Sequence, residues 1–115
     1  MGYNHKGLAF LNLGRYRRSQ ELLDQAIDLD PNFPDALNNR GLLSLRANQW
    51  EEAIVDLDEA IRLDPRFGPA YANRSMAYTL ADQDELDQWD LERAGKFGLD
   101  LASLAAEVNN LKQVR

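Results

Sequence analysis

Apolar residues recur at helical spacing along most of the chain. Within residues 50–63 they follow the i, i+3, i+4 spacing of one helix face, as Ala53, Ile54, Leu57, Ala60 and Ile61. Asp64 and Pro65 come next, and a helix is expected to end there because proline pushes the residue before it out of the helical region. The pattern predicts six helices over residues 1–101 and a seventh over 102–115, whose apolar stripe comprises Leu101, Leu104, Ala105, Val108 and Leu111.

Turn and cap residues separate the predicted helices into pairs. In the middle pair the helices are expected over about 34–47 and 50–63. Asn32 or a near neighbour is expected to cap the first of them, and Asp100 to cap the seventh helix. The turns inside the three pairs are marked by Gly14, by Asn48 and Gln49, and by Asp82 and Gln83.

The sequence repeats itself every 34 residues. The segment LDPNF at 29–33 returns as LDPRF at 63–67. The same offset relates Gly7, Gly41 and Ser75, then Leu23, Leu57 and Leu91, and then Ala26, Ala60 and Ala94. A fixed period of this length is the signature of a stacked repeat protein. We expect the small residues to lie where helices approach each other most closely, and the tail helix to cover the end of the stack.

Composition narrows the range of functions. The chain has 115 residues, a net charge of −6, no cysteine and one histidine. Disulfide frameworks, thiolate zinc sites and mechanisms that need two histidines are therefore excluded. An acidic chain repels a phosphate backbone, so no nucleic-acid partner is expected. No apolar run approaches the roughly 20 residues that span a bilayer and no signal peptide is visible, so we expect a cytoplasmic protein without membrane contact.

At the repeated positions the chain resembles the tetratricopeptide repeat (TPR) family. The middle unit carries that family's pattern as Leu37, Gly41, Trp50, Ala53, Leu57, Ala60 and Pro65, with Ser44 where an aromatic residue is usual. The first unit carries it as Tyr3, Gly7, Phe10, Tyr16, Leu23, Ala26 and Pro31. The third keeps Tyr71, Ser75, Tyr78, Leu91 and Ala94, and it departs at Asp84, Asp87 and Leu99.

The resemblance implies an all-α fold. It is a right-handed superhelix, or solenoid, of three helix-turn-helix repeats at residues 1–33, 34–67 and 68–101, with a C-terminal capping helix at 102–115, all in one domain. It also implies that the first helix of each repeat lines a concave groove, which in this family receives a peptide segment or a partner's helix. The expected function is that of a protein-interaction module, an adaptor or scaffold, and not that of an enzyme.

By matched position, the groove residues come from the first helix of each repeat. They are Asn4, His5, Leu8 and Asn12 from the first, Asp35, Asn38, Asn39, Leu42 and Arg46 from the second, and Asn73, Met76 and Leu80 from the third. Asparagine both donates and accepts hydrogen bonds, so it can hold a peptide backbone of any sequence. Leucine and methionine add adaptable apolar contact. The alternative is that these asparagines are merely surface residues and that Leu42 and Met76 belong to the core.

One TPR subtype binds chaperone tails through lysine, asparagine and arginine side chains that hold the terminal carboxylate. The matching positions here are Asn4, Leu8, Asn39, Pro69 and Asn73, and only Asn39 agrees. Without the cations the charge-assisted bonds to a carboxylate are missing. We therefore do not expect this chain to bind chaperone tails.

The remaining chemistry-bearing residues support no catalytic, cofactor or metal site. His5 has no supporting motif for a triad. The aspartates at 82, 84, 87 and 90 lack the glycine and glutamate of a calcium loop, so we expect a helix N-terminus and a solvated face there.

Trp89 stands at a position that carries Glu21 and Val55 in the other units. Either it faces outward as an anchor for self-association, or it belongs to the core. The sequence leaves two alternative functions open: a self-associating structural module, or an auxiliary domain of a larger regulatory protein or enzyme.

Overall fold

The computed structural model of the chain describes residues 2–114, with only the backbone of Asp84, so Met1 and Arg115 of the predicted domain lie outside it. The described residues form helices and no strand. The helices are α1 (Tyr3–Asn12), α2 (Tyr16–Leu29), α3 (Pro34–Arg46), α4 (Trp50–Leu63), α5 (Gly68–Leu80), α6 (Asp84–Lys96) and α7 (Leu101–Val114). Their bounds lie within a residue or two of those that the turn residues and prolines predict.

The turns inside the three hairpins share one backbone geometry. Gly14, Asn48 and Asp82, each 34 residues from the next, have φ values of 77°, 61° and 63°. Glycine enters this left-handed region without steric cost, and asparagine and aspartate enter it more readily than other residues. The next N–H then bonds back to a carbonyl five residues earlier, as from Gln49 to Ser44 (2.8 Å). The predicted turns are confirmed.

The two predicted helix caps have different outcomes. Asp100 caps α7, because its Oδ1 accepts a hydrogen bond from the Ala102 N–H at 3.1 Å. The cap expected from Asn32 is wrong: α3 begins after Phe33 without a side-chain cap. The backbone N–H of Asn32 is itself a donor, to Asp30 Oδ1 at 3.2 Å. Asp30 thus organises the turn before α3, and no side chain caps the helix.

Glycine lets the two helices of a hairpin approach each other. A Cβ atom on Gly7 would lie 2.7 Å from Leu23 Cγ, and one on Gly41 would lie 2.8 Å from Leu57 Cγ. The expected role of these small residues is confirmed. The largest cluster of the core joins α3 and α4 to α5 and contains Leu37, Leu45, Ala53, Leu57, Ala60, Ala70 and Ala77.

Arginine side chains also tie each hairpin to its neighbour. Arg40 on α3 bonds Asp56 through two nitrogens, both at 2.9 Å, and Asp24 at 3.0 Å. Arg74 repeats this with Asp90 and Asp58. In both cases one carboxylate belongs to the same hairpin and the other to the preceding one. The hydrogen bonds that Arg40 donates to Asp56 raise the pKa of Arg40 above its ordinary value and outweigh the cost of its burial.

The stack is curved because its two layers of helices pack differently. The first helices contact each other in sequence, α1 with α3, α3 with α5 and α5 with α7. Among the described residues, the backbones of α2, α4 and α6 stay more than 8 Å apart, measured between Cα atoms. A stack that is close-packed on one side and spread on the other is concave on the close-packed side. The inner face is therefore formed by α1, α3, α5 and α7.

Candidate functional site

The groove residues expected from the sequence lie on α1, α3 and α5, at three levels of burial. His5, Asn12, Asp35 and Arg46 are exposed. The apolar members Leu8, Leu42, Met76 and Leu80 are half-buried, and the amides Asn4, Asn38, Asn39 and Asn73 are buried. The apolar side chains thus keep part of their surface available at the inner face.

The buried asparagines join consecutive first helices. Asn39 donates a hydrogen bond from Nδ2 to Asn4 Oδ1 at 2.8 Å. One hairpin further along, Asn73 donates in the same way to Asn38 Oδ1 at 2.9 Å. A carboxamide has two N–H donors and two acceptor lone pairs, so each bond uses only part of its capacity. The amide pairs hold neighbouring helices together and fix the orientation of polar groups near the inner face.

A cavity of about 890 Å³, here called the inner pocket, opens at the end of the inner face nearest the C-terminus. Its wall is mostly apolar and comes from α3, α5 and α7 with the start of α4. The lining residues are Leu42, Leu45, Arg46, Asn48, Trp50, Met76, Leu80, Glu107, Leu111 and Val114. Four expected groove residues therefore meet there: Leu42, Arg46, Met76 and Leu80. The eight others lie outside the lining of the inner pocket.

Opposite charges flank the inner pocket. Arg46 comes from α3 and Glu107 from α7, and these two helices lie on either side of α5 without touching each other in the part of the chain that the structure describes. Both side chains are exposed. An occupant that crosses α5 would meet a cation at one end and a carboxylate at the other.

Helix α7 is held in place partly by a buried carboxylate. Asp87 on α6 is fully buried; its Oδ2 accepts a hydrogen bond from Thr79 Oγ1 at 2.7 Å and lies 3.5 Å from Lys112 Nζ on α7. The expectation of a solvated acidic face is wrong for Asp87 and Asp90, because both are fully buried against cationic partners. Burial raises the pKa of Asp90, against the opposing effect of Arg74. The side chain of Asp84 lies outside the described residues.

Trp89 has an intermediate environment. Its side chain is 46% exposed on α6. One face of the ring carries the Arg93 guanidinium at 4.6 Å, and the ring centroid lies 6.1 Å from that of Tyr71. It is therefore neither a core residue nor a fully open anchor.

The described residues form neither a metal-binding cluster nor a membrane-spanning helix. No group of three or more histidine, aspartate or glutamate side chains is placed to hold a metal ion. None of the described helices combines the length and apolarity needed to cross a bilayer.

Residues 5–67, more than half of the chain, match the sequence profile of the tetratricopeptide repeat family. The chain belongs to this family. No curated protein sequence gives a significant match.

Solved TPR domains share the fold over nearly the whole chain. The first TPR of Spaghetti (RPAP3), bound to the HSP90 peptide SRMEEVD, is 22% identical with a TM-score of 0.86, and the match covers 97% of this chain and 89% of that one. The second TPR domain of human RPAP3, in complex with the HSP70 peptide SGPTIEEVD, is 26% identical with a TM-score of 0.82, over 96% and 92%. The TPR2B domain of yeast Sti1, in a complex with pHsp70, is 20% identical with a TM-score of 0.81, over 96% and 90%. These likenesses show that the chain is an all-α TPR solenoid.

Sequence reasoning missed the contribution of α7 to the inner pocket. Glu107 follows Asn73 by 34 residues, and Val114 follows Leu80 by the same interval. The TPR period therefore continues into α7, which packs beside α5 in the position of a fourth first helix. Extending the period past residue 101 would have identified both residues.

Proposed function

We propose that this TPR chain is a protein-interaction module that binds a peptide segment of a partner protein along its inner face. The observation that carries the proposal is the inner pocket, where half-buried Leu42, Met76 and Leu80 meet Leu111 of α7. A concave, mostly apolar site with a few fixed polar groups is the usual form of a ligand-binding site.

The chemistry of the inner face favours a particular kind of segment. The amide pairs Asn4–Asn39 and Asn38–Asn73 have remaining donors and acceptors suited to hydrogen bonds with a peptide backbone. The inner pocket then accepts a bulky apolar side chain, flanked by an acidic residue toward Arg46 and a basic residue toward Glu107. The HSP90 and HSP70 peptides bound by the structural neighbours end in EEVD. Because the clamp positions here carry Asn4, Leu8 and Pro69 in place of cations or asparagine, we propose an internal segment in preference to such an acidic tail.

The test uses two exposed apolar residues as a matched pair. Val114, in the inner pocket, is 78% exposed, and Leu29, at the end of α2, is 75% exposed. Peptides are selected from a display library on the unmodified chain and their dissociation constants are measured by fluorescence anisotropy. For inner-face peptides we expect Val114→Asp to weaken binding at least tenfold and Leu29→Asp to change it less than twofold. Equal effects of the two substitutions, or no selected peptide, would refute the proposal.

Self-association is the second candidate function. It is favoured by Leu86 and Trp89, two large apolar side chains about half exposed and one turn apart on α6. Sedimentation over a range of concentrations tests it: Trp89→Ala should abolish a concentration-dependent dimer. A chain that remains monomeric at every concentration removes this candidate.

A further inference from the structure

A second cavity of about 780 Å³, here called the outer pocket, lies on the opposite side of the stack from the inner face. It occupies the gap between α2 and α4, above the outer side of α3. Gln20, Arg40, Ser44, Glu52 and Val55 are among its lining residues. The gap exists because the backbones of α2 and α4 stay more than 8 Å apart between Cα atoms. The outer pocket shares no lining residue with the inner pocket.

The next gap along the stack, between α4 and α6, shows what these positions can hold. Adding 34 to the positions that line the outer pocket replaces Ser44 by Tyr78, Gln20 by Ile54 and Val55 by Trp89. At these three positions the residue in the next gap is larger, whereas Leu43 is replaced by the smaller Ala77. In that gap the half-buried ring of Tyr78 has its centroid 5.7 Å from the Arg74 guanidinium carbon. The chain therefore supplies its own aromatic side chain in one gap and leaves the equivalent place in the other open.

Arg40, which lies beside the outer pocket, is held by the same kind of hydrogen bonds as Arg74 in the next gap. Arg40 makes the same three bonds to aspartates as Arg74 does. Its side chain is nevertheless 30% exposed, whereas that of Arg74 is 14% exposed. A guanidinium held flat by two carboxylates presents a face on which an aromatic ring can stack.

Charge at the rim adds a second element of selectivity. Asp28 and Glu52 are exposed at the edge of the outer pocket. Their equivalents in the next gap are Arg62 and Leu86. The exposed Arg17 offsets part of this charge, so the lining of the open gap has a net charge of −2 and the equivalent positions in the next gap have one of −1. A cationic side chain next to the ring would be complementary to Asp28 and Glu52.

We propose that the outer pocket binds an aromatic side chain, carried next to a lysine or arginine on a partner protein. The aromatic ring of the partner would lie next to Ser44 and stack on Arg40, as the ring of Tyr78 lies next to Arg74 in the following gap. The exposed Val55 forms part of the outer wall. This site is separate from the inner face and does not depend on the function proposed there.

The test fills the pocket from within. Ser44→Tyr introduces the side chain that the chain already accommodates at residue 78, so we expect the variant to fold with an unfolding midpoint no lower than that of the unmodified chain. Peptides selected from a display library on the unmodified chain are measured against Ser44→Tyr and against Ser44→Ala. We expect a class that contains Tyr, Phe or Trp beside Lys or Arg, that loses at least tenfold in affinity with Ser44→Tyr, and that is changed less than threefold by Ser44→Ala.

Further variants separate the possible outcomes. Val114→Asp should leave this peptide class unaffected, since Val114 belongs to the inner pocket. Should Ser44→Tyr fail to fold, Val55→Lys replaces it, because Val55 is 68% exposed and a long cationic side chain there narrows the outer pocket and repels the cation of the peptide. The proposal is overturned if no selected peptide is sensitive to these substitutions, or if the sensitive peptides lack an aromatic residue. A dimer that is lost with both Ser44→Tyr and Trp89→Ala would also overturn it, because the occupant would then be a second copy of this chain.

Discussion

Residue 41 has no room for a side chain. A Cβ atom there would lie 2.8 Å from Leu57 Cγ and 3.4 Å from the carbonyl oxygen of Ala53. At the equivalent position of the third hairpin, Ser75 already carries a Cβ and is fully buried, with its hydroxyl donating to the Ala72 carbonyl at 2.7 Å. The third hairpin therefore accommodates two more heavy atoms at this contact than the second, the Cβ and Oγ of Ser75.

We expect Gly41→Ala to lower the free energy of unfolding by about 1–2 kcal/mol, because overpacking at Leu57 exceeds the gain in helix propensity. Urea denaturation measures the change. Ser75→Ala, which adds no volume, is the control and should cost about 1 kcal/mol or less. A Gly41→Ala chain as stable as the unmodified one would show that Leu57 moves aside freely.

The two aspartates on Arg74 differ in how much they contribute. Asp90 is fully buried, whereas the Asp58 side chain is 53% exposed, and both accept hydrogen bonds of 2.8 Å. We expect Asp90→Asn to destabilise the chain by about 3 kcal/mol, since it leaves Arg74 partly buried with a weaker partner. Asp58→Asn should cost less than about 1 kcal/mol, as for other exposed pairs. If both substitutions lowered the free energy of unfolding equally in denaturation experiments, burial would not determine how much each aspartate contributes.

The burial of Asp87 and Asp90 was not predictable from their own helix. Acidic residues three positions apart are the usual pattern of a solvated helix face. The buried charge of Asp90 is compensated by Arg74, which lies sixteen residues earlier on α5. The buried charge of Asp87 is compensated by Thr79 and Lys112. The offset of sixteen also separates Arg40 from Asp56, so the repeat contained a signal for Asp90. No such parallel exists for Asp87, where the middle hairpin has Ala53.

The helices themselves were predictable because their ends carry strong local signals. Proline, glycine and left-handed asparagine or aspartate interrupt the helical pattern at nearly the same places in each hairpin. Caps depend on finer geometry, and Asn32 shows it: the residue has the right chemistry but lies one position too early, since Phe33 occupies the cap position of α3.

The Asp100 cap makes the start of α7 sensitive to acid. Hydrogen bonds from the Ser103 hydroxyl and from backbone N–H groups lower the pKa of Asp100 below its ordinary value of 3.8. Stabilisation by a carboxylate with a lowered pKa is present above the ordinary value and is lost as the pH falls through the folded value. We expect the amide signals of Ala102 and Ser103 to titrate with a midpoint below 3.8. Asp100→Asn should abolish this titration. A midpoint at or above pH 3.8 in the unmodified chain would mean that the cap does not form.

Lys112 is expected to hold α7 by compensating Asp87. Lys112→Met leaves the buried carboxylate without its ion pair and should cost about 1–3 kcal/mol of unfolding free energy. Adding Asp87→Ala removes the buried charge, so the double variant should be more stable than Lys112→Met alone. Lys6→Met, at an exposed lysine of α1, is the control and should change stability by less than about 0.5 kcal/mol. Additive effects of the two substitutions in denaturation curves would exclude the coupling.

The curvature of the stack follows from its two layers, and it was foreseen only through the family resemblance. The 34-residue period indicates which helices are equivalent, but not that first helices touch while second helices stay apart. The two pockets follow from this arrangement. The inner one depends on where α7 lies across the end of the groove, and the outer one on the absence of an aromatic residue at Ser44. The family resemblance therefore predicted which helices form the inner face, and the contribution of α7 was predictable only by extending the 34-residue period past residue 101.

The arginine ties also bear on how long such an array can be made. If a duplicate of residues 34–67 were inserted after the original, its Arg40 would meet Asp56 of the duplicate and Asp58 of the hairpin before it. The next arginine, Arg74, would find Asp58 of the duplicate in turn. Each new contact between hairpins would thus contain an arginine held by the same pair of carboxylates. We expect longer arrays to unfold at successively higher temperatures with each added unit.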